Sequence, residues 1–280
     1  MTTNWKPKAW IAILLGLVLQ FFTFLYVNKP KLFWLYLMPS LAVAFYDAIY
    51  GTFFSIVTCL VCAAHAFYIA KRGTVFGERR WFSKWWGLIL CIALFFIVSS
   101  LVRAFLYEPF RIPAASMQPT LNIGDGIIVS KLGYRTYTSF GVTLLNDDIA
   151  SPDLMQPGKL YVFQSPQTNV AYVKRLIAVP GDTVAIVNDE VILNGVALPL
   201  NMVDEFDQVS VYEERRGEHS YQIQLSNKIK TRDFSQTTVP ESSYFFLGDN
   251  RDNSNDSRFW GFVRSNKILG EVVIYPNKPK

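Results

Sequence analysis

Histidine is nearly absent from this chain, with only His65 and His219 among 280 residues. A Ser-His-Asp triad needs a histidine that a carboxylate orients within hydrogen-bonding distance of the nucleophile. His219 lies in the charged segment EERRGEH, where nothing in the sequence indicates such an orientation. A hydrolytic site in this chain would therefore have to use another base.

Cysteine is also scarce, and Cys59, Cys62 and Cys91 all lie in apolar runs near the N-terminus. The rest of the chain has none, which excludes a disulfide framework there. Cys59 and Cys62 form a CxxC motif, but no histidine or further cysteine follows at metal-ligand spacing. We interpret the three as small buried hydrophobic residues and predict neither a bound metal nor a cofactor.

Acidic residues are rare up to residue 107, where ten Lys or Arg stand against only Asp47 and Glu78. These basic residues flank apolar runs and do not form a patch among exposed aromatic residues. The pattern favours membrane topology over nucleic-acid binding, so we predict no nucleic-acid partner.

Long apolar runs are abundant in this first part, and a helix needs about 20 mostly apolar residues to cross a bilayer. Pro39 and Asp47 in the second run, and His65 in the third, leave re-entrant or interfacial segments as an alternative. For Asp47 and His65 we expect structural roles at a helix end or inside a bundle. The four predicted spans cover residues 10–27, 32–50, 52–70 and 86–107.

The orientation follows from the basic loop at 71–85, because loops rich in Lys and Arg stay in the cytoplasm. The last span then carries the chain outward across the cytoplasmic membrane, so residues 108–280 are expected on the extracytoplasmic (periplasmic) side. Alternation places the N-terminus outside as well, although Lys6 and Lys8 argue against that step. We therefore expect a multi-pass transmembrane region over 1–107.

Beyond residue 107, helical periodicity is missing, and short runs rich in Val, Ile, Tyr and Phe alternate with turn residues. This pattern is typical of a mostly-β domain. Asn188-Asp189 and Asn194-Gly195 predict tight hairpin turns. Residues 183–246 are expected to form a more variable, β-rich insertion of strands and loops, in which the charged stretch 202–236 is predicted to be rich in solvated loops.

The string FRIPAASMQPTLNIGD presents Ser116 between small residues and prolines. A serine on a crowded turn with small neighbours is a common way to expose a nucleophile. Taken alone, however, a serine that caps a turn is the commoner role.

The string YVKRLIAVPGD contains Lys174 in a predicted strand. Burial disfavours the charged ammonium, so a buried lysine can act as a general base near neutral pH. The alternative is a surface lysine beside a surface arginine.

The third string, GDNRDNSNDSRFWGF, has more hydrogen-bonding side chains than a solvated loop requires. Calcium binding is disfavoured, because the closing Glu of an EF-hand loop is missing and arginines are present. We expect this loop to support the site, with Asp256 and Arg258 paired and Ser254 bonded to the lysine amine.

Together the three strings resemble bacterial type I signal peptidases over residues 108–275, in the family's order. The resemblance implies a Ser/Lys endopeptidase that removes signal peptides from exported preproteins at the outer face of the membrane. It assigns Ser116 as nucleophile, Lys174 as general base, Ser254 as the serine that orients the lysine, and Asp256 with Arg258 as a supporting salt bridge.

Two positions depart from the family pattern. Ala114 stands where some members have a serine that contributes to the oxyanion hole, so the second donor is undetermined. Lys159 follows Gly158 where Asp is usual, and we interpret it as a solvated replacement.

The expected substrates are preproteins with small-x-small cleavage sites, and membrane lipids are the other expected partner. Two other functions stay open at this stage: a non-catalytic membrane scaffold or export partner, and a self-cleaving Ser/Lys regulator. The predicted substrate pocket and strand edge comprise Ile112, Pro113, Ile128, Tyr172 and Val173.

Overall fold

The computed structural model describes residues 5–72, 78–139, 142–148, 151–168, 170–229 and 232–276. The chain divides into two units, Met1–Leu101 and Val102–Lys280. Part of the predicted basic loop, residues 73–77, lies outside the described residues.

The first unit is helical. Helix α1 (Ala9–Leu19) continues through a 3₁₀ turn at Gln20–Phe22 into the short α2 (Thr23–Tyr26). The remaining long helices are α3 (Pro30–Tyr50), α4 (Ser55–Lys71) and α5 (Trp85–Phe105).

Within the part of the chain that the structure describes, three helical segments are long and apolar enough to cross a membrane: Ala9–Tyr26, Pro30–Tyr50 and Trp85–Phe105. The third predicted span corresponds to α4, which is apolar but has only 17 residues. A helix of that length extends about 25 Å, against a hydrocarbon core of about 30 Å.

The two polar residues of the predicted spans have structural partners. The Asp47 carboxylate accepts hydrogen bonds from the Thr52 hydroxyl and from the backbone N–H groups of Phe54 and Ser55. It therefore caps the start of α4, since the first N–H groups of a helix have no partner within the helix. His65 Nδ1 lies 2.9 Å from the Tyr36 hydroxyl.

The second unit is built around an antiparallel seven-stranded sheet in the order β1-β2-β16-β5-β6-β14-β15. Its strands are β1 (Tyr107–Arg111), β2 (Gly126–Ser130), β5 (Leu160–Gln164), β6 (Ala171–Ala178), β14 (Ser243–Leu247), β15 (Val263–Arg264) and β16 (Ile268–Ile274).

Both predicted hairpin turns are confirmed in a second sheet. Val187 pairs with Glu190 and Leu193 pairs with Val196, each across a two-residue turn. Both central residues of each turn have positive φ angles, as a type I′ turn requires. The strands of this sheet, in the order β13-β7-β8-β9, are β7 (Thr183–Val187), β8 (Glu190–Leu193), β9 (Val196–Ala197) and β13 (Phe234–Thr238).

The prediction that 202–236 is rich in loops was wrong. Most of this stretch belongs to a three-stranded antiparallel sheet, called the meander sheet below, formed by β10 (Leu200–Glu205), β11 (Val209–Arg216) and β12 (His219–Ser226). Polar residues alternate along β12 with the buried Tyr221, Ile223 and Leu225, and this alternation suits a strand that buries one face. A further hairpin, β3 (Tyr137–Ser139) with β4 (Val142–Leu145), completes the strands.

Candidate active site

Ser116 lies on a 3₁₀ turn, Ala115–Met117, between β1 and β2. Ile112, Met117 and Leu121, on either side of it, are buried in the same apolar cluster. Each such side chain contributes about 1.5–3 kcal/mol when buried, so the turn is anchored at both ends. Ser116 itself is half-buried, with its side chain available to a cleft.

Lys174 lies in the middle of β6 and is 3% exposed, as predicted for a buried strand lysine. Its Nζ lies 2.5 Å from Ser116 Oγ. Burial lowers the pKa of the Lys174 amine to about 8, although Asp256 and Asp249 act in the opposite direction. A substantial fraction of the amine is therefore neutral near physiological pH and can accept a proton.

The pair lies in a cleft with a volume of about 320 Å³. Four of the residues predicted for the substrate pocket line it, namely Ile112, Pro113, Tyr172 and Val173. Ala114, Ala115, Ile127, Val162, Asn253 and Asn255 also line it.

The prediction for Ile128 was wrong. Ile127 lines the cleft in its place, whereas Ile128 pairs with Pro109 and Ile274 in the sheet. Successive strand residues point to opposite faces, so an error of one residue in register changes the face.

Asp256 and Arg258 form the predicted ion pair, in which Arg258 donates two hydrogen bonds of 2.8 and 2.7 Å. Asp256 also accepts from the Gly248 backbone N–H at 3.0 Å, and Arg258 donates to the Arg251 carbonyl at 2.5 Å. Both side chains are buried. The pair therefore fixes the loop that follows β14.

The predicted hydrogen bond from Ser254 to Lys174 is not present. The Ser254 hydroxyl is buried and has no hydrogen-bond partner among the described residues. It lies instead over Gly248, where an added Cβ would be 2.2 Å from the Ser254 Oγ and 2.5 Å from the Ser116 carbonyl oxygen.

Asn250 joins the loop to the turn Ala115–Met117, which carries the candidate nucleophile Ser116 and is called the nucleophile turn below. Its backbone N–H donates to the Ser116 carbonyl, and its side-chain amide donates to the Ala115 carbonyl, each at 3.1 Å. Both contacts hold the turn from behind, so the Ser116 side chain is left free to face Lys174.

Two further ion pairs were missed by sequence reasoning. Arg175 donates to both carboxylate oxygens of Asp249, at 2.7 and 2.5 Å. Arg251 donates to both carboxylate oxygens of Glu214, at 3.0 and 2.5 Å. An arginine in an otherwise apolar strand predicts a buried carboxylate partner, but the pattern does not say which one.

Lys159 was predicted to be a solvated replacement, and it is a partly exposed partner of Glu271 at 2.8 Å. Among the described residues, no group of three or more His, Cys, Asp or Glu side chains is placed to hold a metal ion.

A serine hydroxyl next to a buried amine with a lowered pKa, in a cleft of a β domain, is suited to acyl transfer by a serine nucleophile. This chemistry is that of a hydrolase. The family model described as "Signal peptidase, peptidase S26" matches residues 83–275. The chain belongs to this family, and the predicted resemblance to bacterial type I signal peptidases is confirmed.

Relatives named signal peptidase I occur in several bacteria. The one from Pseudomonas aeruginosa is 37% identical over an alignment of 179 positions, and the alignment covers 61% of this chain and 62% of that protein. The one from Bacillus licheniformis is 31% identical over 68% of this chain and 88% of that protein. The chain thus spans under two thirds of the length of the Pseudomonas aeruginosa relative.

A solved structure was also found, the crystal structure of a signal peptidase I from Enterococcus faecalis V583. It is 29% identical and aligns with a TM-score of 0.31, covering 42% of this chain and 97% of that chain.

Proposed function

We propose that this protein is a membrane-bound serine endopeptidase that cleaves N-terminal signal peptides from exported preproteins, with Ser116 as nucleophile and Lys174 as general base. The observation that carries the proposal is the 2.5 Å distance between Lys174 Nζ and Ser116 Oγ in a chain of the signal peptidase family.

In the first half of the reaction, neutral Lys174 accepts the Ser116 proton while Oγ attacks the carbonyl carbon of the scissile bond. The resulting Lys174 ammonium then protonates the leaving amine of the mature protein, and the signal peptide remains as an ester on Oγ. In the second half, Lys174 takes a proton from water and the hydroxide attacks the ester carbonyl. The bond to Oγ then breaks, the signal peptide leaves as a carboxylic acid, and Lys174 returns the proton to Ser116.

The negative oxygen that forms during attack needs hydrogen-bond donors, and one such donor is worth about 10²–10³ in rate. We assign the Ser116 backbone N–H to this role. Ala114 offers no hydroxyl, so a second donor has to come from elsewhere. Asp256 and Arg258 act indirectly, because they fix the loop whose Asn250 holds the nucleophile turn.

The lining of the cleft supports a proposed preference for small-x-small sites. Ile112, Pro113, Tyr172 and Val173 give it apolar walls, and Ala114 and Ala115 leave room for the substrate backbone. Small apolar substrate residues would be desolvated there, while an extended peptide would bond to the strand edges.

Three long apolar helices and the 17-residue α4 support attachment to the cytoplasmic membrane in contact with its lipids. We propose four spans, with the catalytic domain on the extracytoplasmic side. Reporter fusions after Tyr50, Lys84 and Tyr107 test this topology, and a cytoplasmic signal after Tyr107 contradicts it.

The decisive experiment incubates the detergent-purified protein with a preprotein that carries a small-x-small site. Ser116→Ala and Lys174→Ala should each lower kcat by about 10³-fold or more, because they remove the nucleophile and the base. Ser235→Ala and Lys228→Ala change exposed residues and should cleave like the parent.

If the Ser116 and Lys174 variants cleave as fast as the parent, the mechanism is wrong. A parent that leaves the preprotein intact favours the scaffold function. Cleavage of the chain itself, with the preprotein untouched, favours the self-cleaving regulator.

A further inference from the structure

The meander sheet is joined to the loop that supports the nucleophile turn. The Gln224 backbone N–H donates to the Asp249 carbonyl at 2.8 Å, and the Ser226 backbone N–H donates to the Asp252 carboxylate at 2.5 Å. Gln224 also forms a parallel bridge with Asn250. Strand β12 therefore runs alongside residues 249–252.

Glu214 lies on β11 of the same sheet and is 1% exposed. Among the described residues, it is the one almost completely buried charged group that the meander sheet contributes to this junction. Its two oxygens accept the hydrogen bonds from Arg251 described above, and the Tyr221 hydroxyl donates to one of them at 2.8 Å. Arg251 is 3% exposed. Because water solvates neither charge, each side chain needs the other as its counter-ion in order to stay buried in this position.

Arg251 is connected in turn to the nucleophile. It directly follows Asn250, whose backbone and side chain hold the Ser116 and Ala115 carbonyl oxygens at 3.1 Å. Its own carbonyl accepts the hydrogen bond from Arg258. A shift of Arg251 would thus move both contacts behind Ser116.

We propose that Glu214 is a positioning residue for the Ser116–Lys174 pair and that it acts through Arg251. The inference rests on the proposed function, because it concerns the rate at which Ser116 is acylated. A displacement of about 1 Å at reacting groups can cost about 10² in rate, so a clamp on this turn affects catalysis directly. Within the charged segment EERRGEH, Glu214 is then a positioning residue, whereas Glu218 is exposed.

The test is a double-mutant cycle on the full-length protein in detergent. The variants are Glu214→Leu, Arg251→Met and the double variant, with Glu214→Gln as a milder change that keeps one acceptor. The readouts are kcat and KM on the preprotein, the rate of Ser116 labelling by a serine-directed acylating reagent, and thermal unfolding.

Glu214→Gln is expected to lower kcat and the labelling rate at least tenfold, with KM within twofold of the parent. The double variant buries no unpaired charge, so it should unfold at a higher temperature than Glu214→Leu yet remain as slow as Arg251→Met. Glu218→Gln, in the exposed turn after β11, is the matched control and should behave like the parent.

Parent-like kcat in Glu214→Gln would refute the proposal. So would losses that multiply in the double variant, because Glu214 would then act independently of Arg251. A parent that labels at Ser116 but leaves preproteins intact would instead refute the proposed function, and the labelling rates would still test the role of Glu214.

Discussion

Lys174 and Arg175 are consecutive residues of β6. Of the two, Arg175 forms an ion pair with a carboxylate, that of Asp249, and Lys174 forms none with the described residues. The alternation of the strand directs Arg175 to Asp249 and Lys174 to Ser116. A lysine paired with a carboxylate would stay charged, whereas an unpaired buried lysine loses its proton more easily. In the proposed mechanism, this division of roles between neighbours supplies the base.

The first prediction concerns pH. The pKa of Lys174 is lowered to about 8, so the neutral base is the minor form below that pH and the major form above it. We expect kcat/KM, which reports the free enzyme, to fall about tenfold per pH unit below the midpoint and to level off above it. Rates from pH 6 to 9.5 provide the measurement.

Lys174→Arg is the companion variant, because a guanidinium stays protonated throughout this range. It should be inactive at every pH. A flat profile for the parent would mean that another group is the base.

The second prediction concerns Gly248. A methyl group there would meet the Ser254 hydroxyl and the Ser116 carbonyl. Gly248→Ala should therefore displace the nucleophile turn and lower kcat by about 10². Steady-state kinetics provide the measurement.

Gly217→Ala is the control for this variant. Gly217 has a φ angle of 61° and open space around its Cα, so alanine there should cost about 1 kcal/mol of stability through backbone strain alone. Equal kinetic losses in the two variants would contradict the proposed clash.

The third prediction concerns Asp256. Asp256→Asn leaves the buried Arg258 guanidinium without its counter-charge, which should cost about 3–5 kcal/mol in the free energy of unfolding. Thermal unfolding in detergent provides the measurement. Asp207 is exposed, so the free energy of unfolding of the control Asp207→Asn should stay within about 0.5 kcal/mol of that of the parent. An equally small change in Asp256→Asn would show that the Asp256–Arg258 pair is dispensable for stability.

The fourth prediction concerns Ala114, which is exposed in the cleft two residues before the nucleophile. Ala114→Ser adds a hydroxyl that is expected to donate to the developing oxyanion and to raise kcat at least threefold, with KM little changed. Ala197→Ser, on the exposed strand β9, should have no effect. An unchanged or lower kcat for Ala114→Ser would mean that the oxyanion is bound out of its reach.

Local patterns in the sequence determined much of this protein. Apolar runs predicted the helices and turn residues predicted both hairpins. The three motifs singled out Ser116, Lys174, Asp256 and Arg258, which the fold brings into two contacting pairs. These features depend on neighbouring residues, whose periodicity and backbone preferences can be read directly.

The tertiary structure decided what depends on distant residues. It placed Ile127 and not Ile128 in the cleft, left Ser254 without a bond to the lysine, and formed a sheet from the charged insertion. It also paired Glu214 with Arg251, 37 positions along the chain. A buried charge requires an oppositely charged partner, because desolvation of an unpaired charge costs free energy. Any opposite charge that the fold brings close can serve, so only the three-dimensional packing decides which residue is the partner.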